Sequence, residues 1–343
     1  MNKDELYMSR CLELAKLAAG NVAPNPMVGA VLVYEEKIIG EGYHQRFGEA
    51  HAEVNCINSV TEEDKNLIEK STLYVSLEPC SHFGKTPPCT DLIIKNKIPK
   101  VVIGCKDIYK EVDGKGINKL QEAGIEVITG ILEEECAALN KRFFTFHQKQ
   151  RPYIILKWAE SANAKIGADE RVFITNEYTN CLVHKWRSEE QAILVGKHTA
   201  LKDDPSLTTR LWPGEDPVRC VMDNNLTLPL WLKIFDRSTP TIVFNFLKDD
   251  EEKNIKRVKL HDGNISTLLT SMYDLQIQSV IVEGGAILLR SFIDAGSWDE
   301  ARILRNEALT IENGIDAPEL KNATLQQQEK YFTDTVSYFL PSS

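Results

Sequence analysis

Short apolar runs and helical stripes alternate along this chain, and the alternation is interrupted once, at the polar stretch HQKQRPY around residue 148. Before it, Asp4 to Ala19 sets Tyr7, Cys11, Leu14 and Ala18 on one helical stripe. Val28 to Tyr34, TLYVSLE, KVVIGC and IEVITG have strand length and apolar character. Helices are predicted between them: from the HAEVNC stretch, from TDLIIKNK capped by Thr90 or Asp91, from INKLQEAG, and from Leu132 to about Phe146. Beyond it the rhythm restarts with YIILKWA, a helix near Tyr178 to Glu190, then AILVG, PVRCVMD, TIVFNF, SVIVEGG and EARILR. The charged run KDDEEKNIKRVK predicts a solvated loop or helix face. Strands that alternate with helices bury both their faces in layered α/β domains. At 343 residues the chain has room for two of them, expected at 1–147 and 148–343.

Charge narrows the function classes. Forty basic against fifty acidic side chains give a net charge of −10, and no stretch interleaves aromatic with basic residues. A protein made to coat nucleic acid or an anionic membrane is therefore not expected. The N-terminal MNKDELYMSRCLELAKLAAG lacks the uninterrupted apolar core of a signal peptide. No apolar run approaches the roughly 20 residues that cross a bilayer. The eight cysteines have no paired spacing, so a reducing cytoplasmic setting is expected, and a cysteine cluster there reads as metal-binding or catalytic.

One such cluster exists. HAEVNC at 51–56 is followed by EPCSHFGKTPPC at 78–89. His51, Cys80 and Cys89 supply the three nitrogen and thiolate ligands that a catalytic zinc needs when its fourth position is kept for water. Glu53, near a helix start, is placed to carry protons to and from that water. H-x-E followed by P-C-x-x-C is the pattern of zinc deaminases that act on nucleobases, although here eight residues separate the cysteines. The residues alone leave open a structural zinc with His82 or His44 as fourth ligand, and a zinc-stabilised module without catalysis. Cys11, Cys56, Cys105, Cys136, Cys181 and Cys220 read as small apolar residues.

PNPMVGAV, HAE and the inter-cysteine loop CSHFGKTPPC together resemble the N-terminal half of the bifunctional riboflavin-biosynthesis deaminase/reductase family. The resemblance implies a cytidine-deaminase-like three-layer α/β/α domain. It also implies deamination of a diaminopyrimidinone that carries ribose 5-phosphate. Asn25, His44, His82, Lys85 and Thr86 would line its pocket. The chain departs from the family after KVVIGC, where Asp107-Ile108-Tyr109 stands in place of Asp-Pro-Asn.

The second half has no G-x-G-x-x-G. VEGGA, residues 282–286, instead ends a strand at Glu283 and opens a helix with Gly284 and Gly285, whose unobstructed amides suit a pyrophosphate. With GKHTALKDDPSLTTR it resembles the reductase half of the same family, a dihydrofolate-reductase-like α/β domain. That likeness implies reduction of the opened ribose by NADPH. Thr199, Asp203, Gly284 and Gly285 would then contact the cofactor, and Arg187, Leu207, Arg210 and Glu283 the substrate. Read without it, Arg187 would pair with Glu190 on the surface. The family's Ser-x-Asp-Gly-Lys turn is Ser161-Ala162-Asn163-Ala164-Lys165 here. Alanine takes positive φ less readily than glycine, so an active deaminase joined to a degenerate reductase is a second reading. The expected partners are the pyrimidine ribotide and further copies of the chain, with zinc and NADPH as cofactors.

Overall fold

The computed structural model describes residues 2–83, 87–108, 114–168, 170 and 172–342. The chain divides into two compact units, Met1–Lys149 and Gln150–Ser343.

The first unit opens with α1 (Lys3–Lys16), started by a reciprocal cap in which Asn2 and Glu5 exchange side chain to main chain hydrogen bonds of 2.8 Å. Then follow β1 (Gly29–Tyr34), β2 (Lys37–Tyr43), α2 (Ala52–Asn58), β3 (Thr72–Leu77), α3 (Cys89–Lys95) and β4 (Lys100–Cys105). The unit closes with α4 (Lys115–Glu122), β5 (Glu126–Thr129), α5 (Glu133–Leu139) and α6 (Lys141–Lys149). The sheet order is β2-β1-β3-β4-β5, with β1 antiparallel to both neighbours and β3, β4 and β5 parallel. Both faces are covered. Ala30, Leu32, Leu73, Val75, Val101 and Ile103 face Cys56, Ile57, Ile93 and Leu120 of α2, α3 and α4. Their neighbours Val31, Val33, Tyr74 and Val102 face Met8, Cys11 and Cys136 of α1 and α5. Strict alternation of strand side chains between two apolar layers makes this a three-layer α/β/α unit.

Strand direction then gathers the motifs. Because β1 runs antiparallel to β2 and β3, the start of β1 and the ends of β2 and β3 share one edge of the sheet, with Gly29 opposite Tyr43. The PNP turn, His44 and the Pro79–Cys80 stretch leave from that edge. The predicted single helix from Leu132 to Phe146 is instead broken at Asn140. The Asn140 amide is used elsewhere: its Oδ1 accepts from Met27 N–H at 2.8 Å and its Nδ2 donates to Met27 C=O at 2.9 Å, pinning the chain just after the PNP turn.

The second unit contains β6 (Tyr153–Ser161), β7 (Lys165–Ala168), α7 (Glu177–Glu189), β8 (Ala192–Gly196), α8 (Lys197–Asp203), β9 (Val218–Met222) and β10 (Thr241–Asn245). It continues with β11 (Asp250–Glu252), β12 (Ile255–Lys259), α9 (Ile265–Asp274), β13 (Ser279–Val282), α10 (Ala286–Asp294) and β14 (Glu300–Asn306). It ends with β15 (Gly314–Asp316), β16 (Ala323–Tyr331) and β17 (Asp334–Pro341). Ten strands form one sheet, β11-β12-β10-β9-β8-β13-β6-β14-β17-β16, and β7 pairs with β15 separately. From β12 to β14 the ladder is parallel. The chain steps outward from β8 through β9 and β10 to β12, then returns to insert β13 between β8 and β6. That reversal makes the carboxyl ends of β8 and β13 a topological switch point, the place where ligands bind in doubly wound sheets. The charged run expected as a loop or helix face forms the β11–β12 hairpin, in which Arg257 pairs with Asp250 at 2.8 Å. Cross-strand ion pairs suit an exposed two-stranded edge as well as they suit a loop.

Candidate active sites

His51 is the N-cap of α2, extended at φ −71° and ψ 166°, and its ring makes no capping bond. Its Nδ1 lies 3.5 Å from Cys80 Sγ and 3.4 Å from Cys89 Sγ. Zn–S of about 2.3 Å and Zn–N of about 2.0–2.1 Å at a tetrahedral angle put N and S roughly 3.5 Å apart. The three donors, mutually within 4.8 Å, therefore fit a zinc ion, and they are the one such group among the described residues. Cys89 is the first residue of α3, after Pro88, so the helix begins one residue before the Thr90 or Asp91 cap that the sequence suggests. Its main-chain N–H donates to Cys80 Sγ at 3.3 Å. The Cys89 thiol, followed by His51, holds Cys80 as thiolate, down to about 4, while Cys80 and burial push Cys89 up.

Glu53, in the first turn of α2, is buried. Burial and then the Cys80 charge raise its carboxyl, with His51 opposing. A carboxyl raised in this way holds a proton more readily than a solvated one, which suits a group that passes protons. His44 is not turned to the metal donors. Its Nδ1 bonds to Ala50 C=O at 3.0 Å and its Nε2 to Asn25 Nδ2 at 3.1 Å, which leaves Asn25 Oδ1 available to a ligand. His82 is outside the ligand group as well, and its buried Nδ1 has no hydrogen-bond partner among the described residues. Lys85 and Thr86 lie outside the described residues, as does Tyr109.

In the second unit Glu283 follows β13, and its carboxylate is gripped by Arg187 of α7 through two bonds of 2.8 Å. Arg187 is thus committed to Glu283, not to Glu190. It also donates to Thr208 C=O at 3.2 Å. Lys157 Nζ stands 3.5 Å from Glu283 Oε2. Burial alone would raise the Glu283 carboxyl, but the charges of Arg187 and Lys157 outweigh it and hold it near 2. Gly284 packs so closely that a Cβ there would come within 2.7 Å of Val195 Cα. Gly285 takes φ +61°, and its Cβ would meet Thr199 Oγ1 of α8 at 3.0 Å. Thr199, Gly284 and Gly285 are therefore together, with Asp203 at the end of α8. Arg210 is exposed, and its Nη1 donates to Thr208 Oγ1 at 2.8 Å. Leu207 differs from expectation. Its side chain is 2% exposed in the core with Val195, Ala200 and Leu228, so only its main chain, at φ +55°, is left to meet a ligand.

The first 105 residues match the cytidine and deoxycytidylate deaminase zinc-binding region, and residues 152–307 match the RibD C-terminal domain. A curated relative, the riboflavin biosynthesis protein RibD of Aquifex aeolicus, is 42% identical over 86% of this chain and 85% of its own. That of Bacillus amyloliquefaciens is 41% identical over 87% and 82%. The crystal structure of a diaminohydroxyphosphoribosylaminopyrimidine deaminase/5-amino-6-(5-phosphoribosylamino)uracil reductase from Thermotoga maritima superposes with a TM-score of 0.91, at 35% identity and 99% coverage of both chains. The chain belongs to the RibD family. It is a bifunctional enzyme of riboflavin biosynthesis, with a deaminase domain followed by a reductase domain.

Two residues of this RibD chain escaped the sequence reading. Lys157 sits in the buried strand YIILKWA and read simply as strand. His184, one helical turn before Arg187, accepts Arg210 N–H on Nδ1 at 2.9 Å and so fixes the Arg210 main chain. Burial, then the charges of Arg187 and Arg210, lower its pKa to about 4, so it stays neutral and keeps that lone pair. A lysine inside an apolar strand was the signal that could have found the first. The second leaves no signature beyond its i, i+3 spacing to Arg187.

Proposed function

We propose that the deaminase domain binds zinc through His51 Nδ1, Cys80 and Cys89 and converts 2,5-diamino-6-(5-phosphoribosylamino)pyrimidin-4-one to its deaminated uracil. The observation that carries this is the convergence of the three donors within 4.8 Å of one another beside the buried Glu53. When bound, zinc supplies the acidity that makes water a nucleophile at neutral pH. Glu53 takes the two protons of the attacking water in turn, passing one to the adjacent ring nitrogen and one to the amine, so that the C–N bond breaks, a ring carbonyl forms and ammonia leaves. Asn25 Oδ1 and the unpartnered Nδ1 of His82 are polar groups free to read the ring; Lys85 and Thr86 are retained as contacts from family likeness.

The reductase domain is read as using NADPH, which supplies a hydride to the opened ribose and leaves a ribityl chain. Thr199, Asp203, Gly284 and Gly285 are assigned to the cofactor. Glu283 and Lys157 are assigned to the sugar, where Lys157, its ammonium disfavoured by burial, can give up a proton. Arg210 is assigned to the phosphate. A degenerate reductase is not favoured, because the departing turn is formed. Asn163 Nδ2 donates to Ile311 C=O at 2.8 Å, its Oδ1 accepts Ile311 N–H at 3.1 Å, and Ala164 reaches φ +54°.

The reading includes a cytoplasmic setting, supported by eight free cysteines. It also includes a homo-oligomer, for which the outer edge of β16 offers unpaired main chain; light scattering tests this. The decisive experiment gives the purified protein the diaminopyrimidine ribotide and follows ammonia release and NADPH oxidation separately. Ammonia without any loss of absorbance at 340 nm would return the degenerate reading.

A further inference from the structure

We infer that Glu78 is a positioning residue of the deaminase, setting the place of the metal ligand Cys80 by tying it to the start of α4. The inference rests on the zinc reading of His51, Cys80 and Cys89.

Helix α4 starts at Gly114, which has no side chain to cap it and adopts φ +79°. Its free amides are met by a carboxylate from far along the chain. Glu78 Oε1 accepts from Gly116 N–H at 2.9 Å and Ile117 N–H at 3.2 Å. Glu78 Oε2 accepts from Gly114 N–H at 3.1 Å and Asp107 N–H at 3.3 Å. Four main-chain donors on one buried carboxylate, at the positive end of a helix, form a stiff joint. A second contact reinforces it. A Cβ on Gly116 would fall 2.2 Å from Pro79 C=O, so only glycine lets α4 press against the residue between Glu78 and Cys80.

Cys80 is held from its other side too. Its carbonyl accepts from Thr90 N–H and Thr90 Oγ1, both at 3.2 Å. Of the three consecutive residues, Glu78 and Pro79 are thus held by α4 and Cys80 by α3. A ligand sulfur whose main chain is clamped at both ends approaches the metal with little freedom, and partners that orient ligands in this way tune affinity by about 10–100-fold.

The test uses the full-length protein loaded with Co²⁺ in place of zinc, because the thiolate-to-cobalt absorption reports ligand geometry directly. Glu78→Gln keeps the shape but presents an amide NH₂ to two of the four N–H groups. The expected result is a shifted and weakened cobalt band, at least tenfold faster metal loss to a chelator, and at least tenfold lower ammonia release, with NADPH oxidation unchanged when the deaminated ribotide is supplied directly. Gly116→Ala keeps the carboxylate but pushes on Pro79, and should change the cobalt band in the same sense. A cobalt spectrum and chelator rate like those of the parent, in either variant with its far-ultraviolet dichroism intact, overturn the positioning role. So does failure of both variants to fold, which would make the joint purely structural. If the parent protein takes up neither cobalt nor zinc, the zinc reading fails first, and this inference with it.

Discussion

Glu53 and Glu283 are both buried carboxylates, and their surroundings push them in opposite directions. Glu53 is raised by burial and the Cys80 charge, which suits a group that carries protons. Glu283 is held near 2 because Arg187 and Lys157 outweigh burial, which suits a fixed charge. Substitutions should separate the two roles. Glu53→Gln keeps the metal donors and is expected to lower ammonia release by roughly 10²–10⁴-fold, the usual weight of general acid–base catalysis. Elemental analysis should find its zinc unchanged, and retained turnover would remove Glu53 as the proton carrier. Glu283→Gln leaves Arg187 and Lys157 buried without a counter-charge and should cost about 3–5 kcal/mol of stability, together with NADPH oxidation. The pH dependence follows with its sign. The folded pKa lies below the unfolded value of about 4.3, so this contribution is complete above that value and is lost as pH falls toward 2. Thermal melts between pH 5 and 3 should therefore show a shallower acid limb for Glu283→Gln than for the parent.

Among the elements, the β6–β7 turn gives a clean case of local strain. Ala164 sits at φ +54°, a region that costs an L-residue roughly 1–2 kcal/mol. Ala164→Gly should therefore raise Tm by about 2–4 °C, with the rate of NADPH oxidation unchanged; a lower Tm would mean that the turn is not strained. The same scale shows what periodicity can and cannot reveal. Buried strands and the helices between them were legible because both faces of each sheet are covered, so apolar runs recur at strand length. The break at Asn140 was not, since the partner of its side chain is Met27, distant in sequence. Nor was the β11–β12 hairpin legible, because its charges satisfy each other across strands. The β16–β17 pair is exposed along much of β16 and left no apolar alternation to read. Asn140→Ala makes the hidden bond testable. It strands the Met27 N–H and C=O and should cost about 1–3 kcal/mol, with a raised KM for the pyrimidine as the PNP turn loosens.

Over the whole molecule, the convergence of His51, Cys80 and Cys89 was legible because zinc chemistry restricts ligands to a few residue types at recognisable spacings. The reductase site was legible mainly through likeness, since neither the Arg187–Glu283 grip nor the nearness of Lys157 follows from any local pattern. Among the described residues each site is assembled within one compact unit: His51, Glu53, Cys80 and Cys89 in the first, Lys157, Arg187, Thr199 and Glu283 in the second. The chemistry is sequential, because the deaminated ribotide is what the reductase consumes, but the stabilising contacts of the two sites are separate. Removing the metal with a chelator should therefore abolish ammonia release from the diaminopyrimidine ribotide while leaving NADPH oxidation intact when the deaminated intermediate is supplied directly. Cys80→Ser should do the same without a chelator. If either treatment also stops reduction of the supplied intermediate, the metal contributes to the second site as well, and the assignment of reductase chemistry to residues of the second unit alone is wrong.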